Sequence, residues 1–267
     1  MNDFFNRSLV GLVYAGVWIA AILVEHSLFY NVLVVSFAFI AAHEMLKLFK
    51  VQSILLPGLL CLITIGLFVN GLPLISVALI ALLCQTTLAV LMFGQIKIKL
   101  HATFASLVCV MHILFPMLLL SEATQQDSII FTKDIVLGLL FFIWGTDGMA
   151  YSYGSMFGKN TLFRNVSPNK SIEGAVAALL FSPAVALVNS YLFLDYSFLF
   201  WLQIGLLAST TSIIGDLVQS QFKRTANVKD SGSILLGHGG LYDRLDSLIF
   251  AIPFVYLYIL LFTIYVS

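Results

Sequence analysis

Apolar residues run through this chain in long stretches, and polar residues gather in short clusters between them. Crossing a bilayer as a helix needs about 20 apolar residues. By that measure the pattern predicts membrane helices at 8–24, 28–46, 53–69, 73–93, 101–121, 135–157, 174–194, 198–219 and 247–266. A helix satisfies its own backbone groups, which hydrocarbon cannot do, so long apolar runs mean helices here. Neighbouring runs such as 8–24 and 28–46 are parted only by Glu25, His26 and Ser27, which predicts tight hairpins. No small-residue cleavage site precedes the second run, so the first is expected to be a retained helix. The expected fold class is all-α, a polytopic integral membrane protein with about nine transmembrane helices. With no repeat and no long soluble stretch, residues 1–267 should form a single membrane domain.

Composition agrees: 60% of the 267 residues are hydrophobic, 10% are charged, and the mean hydropathy is +1.02. That excludes an ordinary soluble domain. Thirteen Lys and Arg balance thirteen Asp and Glu, so net charge gives no reason to expect nucleic acid as a partner. Placement is more telling. With the N-terminus inside, the cytoplasmic segments hold Arg7, Lys47, Lys50, Lys97, Lys99, Lys159, Arg164, Lys170, Lys223, Arg224, Lys229 and Arg244, and only Lys133 falls outside. The opposite loops carry Glu122, Asp127, Asp134 and Asp195. This bias orients short-loop membrane proteins and places the C-terminus on the far side. Cys61, Cys84 and Cys109 lie inside apolar runs without ligand spacing and read as small hydrophobes. His26, His43, His101 and His112 read as structural for the same reason.

Two loops, 158–173 and 220–246, are long and polar for so apolar a chain, and both adjoin helices with acidic groups. Asp147 lies inside the sixth span in Trp144-Gly145-Thr146-Asp147-Gly148. An intramembrane carboxylate costs about 2.5–3.5 kcal/mol on insertion scales, so it faces a cavity, a metal or a partner helix. Asp216, Ser220 and Lys223, spaced i, i+4 and i+7, project from one helical face. Such oxygens suit Mg²⁺, and Lys223 and Arg224 suit phosphate; the plainer reading is a basic helix end with a snorkelling lysine. Gly237, Gly239 and Gly240 would let backbone N–H groups approach a phosphate at the start of the last helix. His238 among them suits phosphate binding or loop structure. Asp243 and Asp246 follow at i and i+3; helix capping explains one Asp there, but not two together with Arg244 and a glycine run.

These residues resemble the phosphatidate cytidylyltransferase family. The family signature reads Ser-x-hydrophobic-Lys-Arg, four residues, Lys-Asp-x-small, then a short apolar step into x-His-Gly-Gly-hydrophobic-x-Asp-Arg-x-Asp. Ser220, Phe222, Lys223, Arg224, Lys229, Asp230, Gly232, His238, Gly239, Gly240, Leu241, Asp243, Arg244 and Asp246 fall in register with it. Leu236 departs from it, standing where the family has Pro or a small residue. Trp144 to Tyr151, Phe157-Gly158-Lys159 and Ser167 to Gly174 are similar to the family's second, looser cluster, with Ser171-Ile172 where the family tends to Thr-Trp. The two clusters span 144–174 and 216–247, and helices over 1–121 match only in hydropathy and number.

The resemblance implies that CTP and phosphatidate react to give CDP-diacylglycerol and pyrophosphate, with Mg²⁺ as cofactor. A second metal ion or an assisting monovalent cation is compatible with it. Asp216 and Asp243 are then the leading metal ligands and Ser220 and Asp246 supporting ones, while Lys223, Arg224, Lys229 and Arg244 hold phosphates. Asp147, Ser167, Lys170, Glu173, Asp230, His238, Gly239 and Gly240 shape the substrate site. Expected partners are the lipid bilayer and a second copy in a homodimer, with a bacterial inner membrane as location. Two alternatives stand beside this reading. One is a related lipid nucleotidyl- or phosphotransferase, although the Asp-Gly-x-x-Ala-Arg start of CDP-alcohol enzymes is not met where Asp147-Gly148 leads to Ala150. The other is a transporter, which also uses intramembrane carboxylates but has no need of a basic, glycine-rich loop.

Overall fold

In the computed structural model, residues 2–24, 27–96, 98, 101–125, 128, 130–234 and 239–266 are described. Among them the helices are α1 (Asn2–Leu23), α2 (Ser27–Leu48), α3 (Leu55–Val69), α4 (Leu74–Phe93), α5 (Ala102–Thr124), α6 (Lys133–Phe157), α7 (Ile172–Leu192), α8 (Phe198–Thr225) and α9 (Tyr242–Val266). Each overlaps one expected span, with ends that differ by up to six residues: the first helix starts at Asn2 rather than 8, the eighth runs on to Thr225 rather than 219, and the ninth starts at Tyr242 rather than 247. Seven are long and apolar enough to cross a membrane, namely α2 and α4 to α9; the apolar stretches Val10–Leu23 and Leu55–Val69 are shorter. The protein is therefore an all-α polytopic membrane protein.

Hydroxyl caps start the later helices where the sequence changes from polar to apolar. Thr132 accepts the Ile135 N–H, Ser171 accepts that of Gly174, and Ser197 accepts that of Phe200. Small residues then let the helices touch. A Cβ on Gly205 of α8 would overlap the Phe142 ring of α6, and one on Gly215 would overlap Phe250 of α9. Within α5 the α-helix widens to a π turn over Val110–Leu114, which brings His112 into the bundle.

The loop expected over 158–173 is not all irregular. It folds as a β-hairpin, β1 (Thr161–Phe163) against β2 (Ser167–Ser171), with Thr161 opposite Ser171 and Phe163 opposite Ser167. Three contacts seat it. Phe163 packs edge-on against Phe93 at the end of α4, Asn165 donates to the Gln95 side chain at 2.8 Å, and Arg224 Nε donates to the Val166 carbonyl at 3.1 Å. Hairpin, α8 terminus and α9 start thus gather at one end of the bundle. At the other end Lys133 Nζ donates to the Val24 carbonyl at 3.0 Å, and Thr132 and Tyr196 share a hydrogen bond at 3.0 Å.

Candidate active site

A cavity of about 590 Å³ opens at the hairpin end between α6, α7, α8 and the start of α9. Asp147 enters it from α6, Ser167 and Lys170 from β2, Asp216 and Lys223 from α8, and Asp243, Arg244 and Asp246 from α9. Helical periodicity places Asp216 and Lys223 on one wall, and the i, i+3 spacing does the same for Asp243 and Asp246. Four carboxylates therefore face three cationic side chains. Lys170 Nζ pairs with Asp216 Oδ2, and Lys223 Nζ pairs with Asp243 Oδ1 at 2.7 Å. Asp246, buried, feels the charges of Asp216, Lys223, Lys170 and Asp147. Asp147 is open to the cavity and lies 3.5 Å from the Ser247 hydroxyl.

Asp243 is the most heavily bonded of the four. Its Oδ1 accepts Lys223 Nζ and, at 3.0 Å, Gln219 Nε2. Its Oδ2 accepts the Ser231 N–H at 2.9 Å, the Ser231 hydroxyl at 3.0 Å and the Gly240 N–H at 2.8 Å. Asp243 thus meets the cavity lysine with one oxygen and ties the preceding loop with the other, rather than capping the N–H groups of its own helix's first turn. Ser220 donates to Asp216 Oδ1 at 3.4 Å, within the same wall.

Other expected site residues stand back from the cavity. Glu173 lies in an adjoining groove, and its carboxylate accepts the Lys159 and Asn160 N–H groups and the Asn160 amide, closing the neck of the hairpin. Arg224 donates through Nε to the Val166 carbonyl and through Nη1 to that of Val228, so it anchors the hairpin. Lys229 and Asp230 are exposed on the loop after α8. Gly239 is buried with φ of +81°, a conformation suited to glycine, while the Gly240 N–H is already taken by Asp243. His238 and Leu236 lie outside the described residues, as do Glu25, His26, Lys97, Lys99 and Asp127.

Residues that the motifs do not include complete the site. Glu44 of α2 accepts the Tyr242 N–H at 2.8 Å, the Leu241 N–H at 3.2 Å and the Ser231 hydroxyl at 3.1 Å. Buried His112 bridges Gln85 Oε1 and the Tyr242 hydroxyl, each at 2.7 Å, and Gln85 Nε2 reaches the Ile249 carbonyl at 3.3 Å. The Tyr14 hydroxyl donates to the Arg244 carbonyl at 3.1 Å. Helices α1, α2, α4 and α5 all thereby grip the first turns of α9. Glu44 carries a sequence signal of its own, being an acidic residue inside a predicted span, but the neighbouring His43, Lys47 and Lys50 make that segment read as a basic helix end.

The anionic groups that line the cavity are all carboxylates, with no Cys or His among the described lining residues, which suits a hard divalent cation better than a soft one. Among the described residues no three His, Cys, Asp or Glu side chains converge as a metal cluster, and ammonium groups of Lys170 and Lys223 lie on two of the carboxylates.

Comparison with known proteins adds a constraint on the whole chain: residues 5–262 match the model of the cytidylyltransferase family. The chain belongs to that family. Among its relatives, the phosphatidate cytidylyltransferase of Bacillus subtilis (strain 168) is 30% identical over 98% of this chain and 100% of its own length. That of Staphylococcus aureus (strain COL) is 33% identical over 81% of this chain and 84% of its own. That of Staphylococcus haemolyticus (strain JCSC1435) reaches 41% identity over 49% of each. The family match thus takes in α1 to α5, which the sequence motifs leave unread, as well as the helices that line the cavity.

Proposed function

We propose that this cytidylyltransferase joins CTP to phosphatidate, forming CDP-diacylglycerol and releasing pyrophosphate. The observation that carries the reading is the mixed-charge cavity at one end of a membrane bundle. A lipid phosphate and a water-soluble triphosphate can meet there, in a chain that matches the family nearly end to end.

One oxygen of the phosphatidate phosphate forms a bond to the α-phosphorus of CTP. The bond from that phosphorus to the oxygen bridging the β-phosphate breaks, and its electron pair leaves with pyrophosphate. A phosphate monoester is already largely ionised near neutral pH, so no side chain has to act as base. Positioning and charge neutralisation are what remain for the protein to supply. Lys170, Lys223 and Arg244 bind phosphate oxygens, and hairpin residue Ser167 closes the cavity's polar wall. Mg²⁺ is the expected metal: Asp216, Asp243, Asp246 and Ser220 would hold it with Asp147 beside them, Lys170 and Lys223 turning from Asp216 and Asp243 to the substrate phosphates, and its chemistry there would be to neutralise triphosphate charge.

The charge pattern supports nine spans, with the cavity at the cytoplasmic face of a bacterial inner membrane. The deciding experiment incubates purified protein with phosphatidate, Mg²⁺ and each of the four NTPs, and identifies the lipid product by mass. CDP-diacylglycerol formed from CTP alone is the expected outcome. A protein that yields no nucleotide-bearing lipid with any NTP is not this enzyme.

A further inference from the structure

Glu44 lies outside the cavity lining and outside both sequence clusters, yet its surroundings are shaped to it. Only 2% of it is exposed. Its partner Leu241 ends the segment joining α8 to α9, its partner Tyr242 opens α9, and its partner Ser231 lies earlier in that segment, before the glycines. One carboxylate from α2 thus ties together two ends of a loop nearly two hundred positions further along the chain. A Cβ on either Gly232 or Gly240 would fall on the Glu44 carboxylate, so the lack of a side chain at both positions makes room for it.

A buried charge in a membrane bundle is a poor choice for packing alone, since an apolar side chain fills the space without the desolvation cost. What the charge does here is accept donors from both ends of the loop. We propose that Glu44 is a positioning residue: it ties Ser231 to the Leu241 and Tyr242 N–H groups and so sets the first turn of α9, from which Asp243 and Asp246 reach the cavity. Ser231 links the two carboxylates, since its hydroxyl lies between Glu44 Oε2 and Asp243 Oδ2 with one proton to share and its N–H goes to Asp243 Oδ2, so a displaced loop moves Asp243 with it. The clamp itself stands on geometry; only its catalytic consequence rests on the reading above.

Two readouts test it on full-length protein in lipid nanodiscs. Amide hydrogen exchange of the 239–245 region reads the clamp, and kinetics with CTP, phosphatidate and Mg²⁺ read its consequence. Glu44→Gln sets an NH₂ group against groups that are themselves donors, so exchange there is expected to quicken about tenfold or more, as loss of hydrogen bonds to a charged group implies. The kcat should fall on the order of 10²-fold for a small misplacement of reacting groups, with the KM for phosphatidate little changed and the Mg²⁺ needed for half-activation raised. Glu44→Asp keeps the charge and should recover part of both readouts; if Glu44→Gln cannot be recovered folded, Glu44→Asp against wild type carries the comparison. Gly232→Ala should lower activity beside Glu44 but add no further loss in a Glu44→Ala background, because the collision needs the carboxylate. Unchanged exchange in Glu44→Gln overturns the proposal, and so does faster exchange with native kcat and Mg²⁺ requirement. If wild type makes no CDP-lipid, the functional reading fails and the exchange result alone decides the clamp.

Discussion

Asp243 joins two jobs in one side chain. Oδ2 holds the loop through Ser231 and Gly240, while Oδ1 faces Lys223 and the cavity. Asp243→Asn is therefore expected to abolish turnover and also to cost about 1–3 kcal/mol of stability, since an amide NH₂ must face a donor at one of the two oxygens. Activity assays and detergent thermal unfolding check both, with membrane insertion unchanged. Full activity in this variant would falsify the site assignment. Much of the cavity is legible at this scale, because an ionisable residue in a membrane chain is costly and so stands out; Asp147, Asp216, Asp243 and Asp246 do converge. Arg224 and Glu173 carry the right chemistry for a site but turn to backbone groups of the hairpin, and residue type and spacing do not reveal that choice.

Among elements, α9 is the one on which the others converge. Four helices from the first half of the chain reach its opening turns through Tyr14, Glu44, Gln85 and His112, and α8 runs against it through Gly215. Gly215→Leu should force the α8–α9 pair apart at Phe250 and lower stability by about 1–3 kcal/mol or more, the usual cost of overpacking. A thermal unfolding midpoint in detergent that stays at the wild-type value would show that the two helices do not need this approach. The helices themselves were readable from apolar run length. The π turn in α5 and the hairpin at 161–171 were not, since each depends on contacts with distant segments: His112 with Tyr242, and Phe163 with Phe93.

For the molecule as a whole, charge placement and geometry agree that the two ends of the bundle differ. The cavity end carries the hairpin, Lys170, Lys223 and Arg244, while Lys133, Asp195 and Tyr196 lie at the other. All three native cysteines are buried, so introduced thiols can report sidedness. Ser233→Cys and Asp195→Cys, both at exposed positions, should react with an impermeant maleimide from opposite sides of sealed vesicles, Ser233→Cys from the cytoplasmic side. Labelling of both from one side removes the proposed nine-span topology.

Sequence alone determined the helices and the cluster of costly polar residues, because hydrocarbon imposes one rule on every backbone group and every charge, wherever its partner lies. Only the tertiary structure decided which polar group meets which. Glu44 finds Ser231 and Tyr242, and Asp243 divides its oxygens between loop and cavity, because hydrogen-bond partners are chosen by distance in space, to which distance along the chain is no guide.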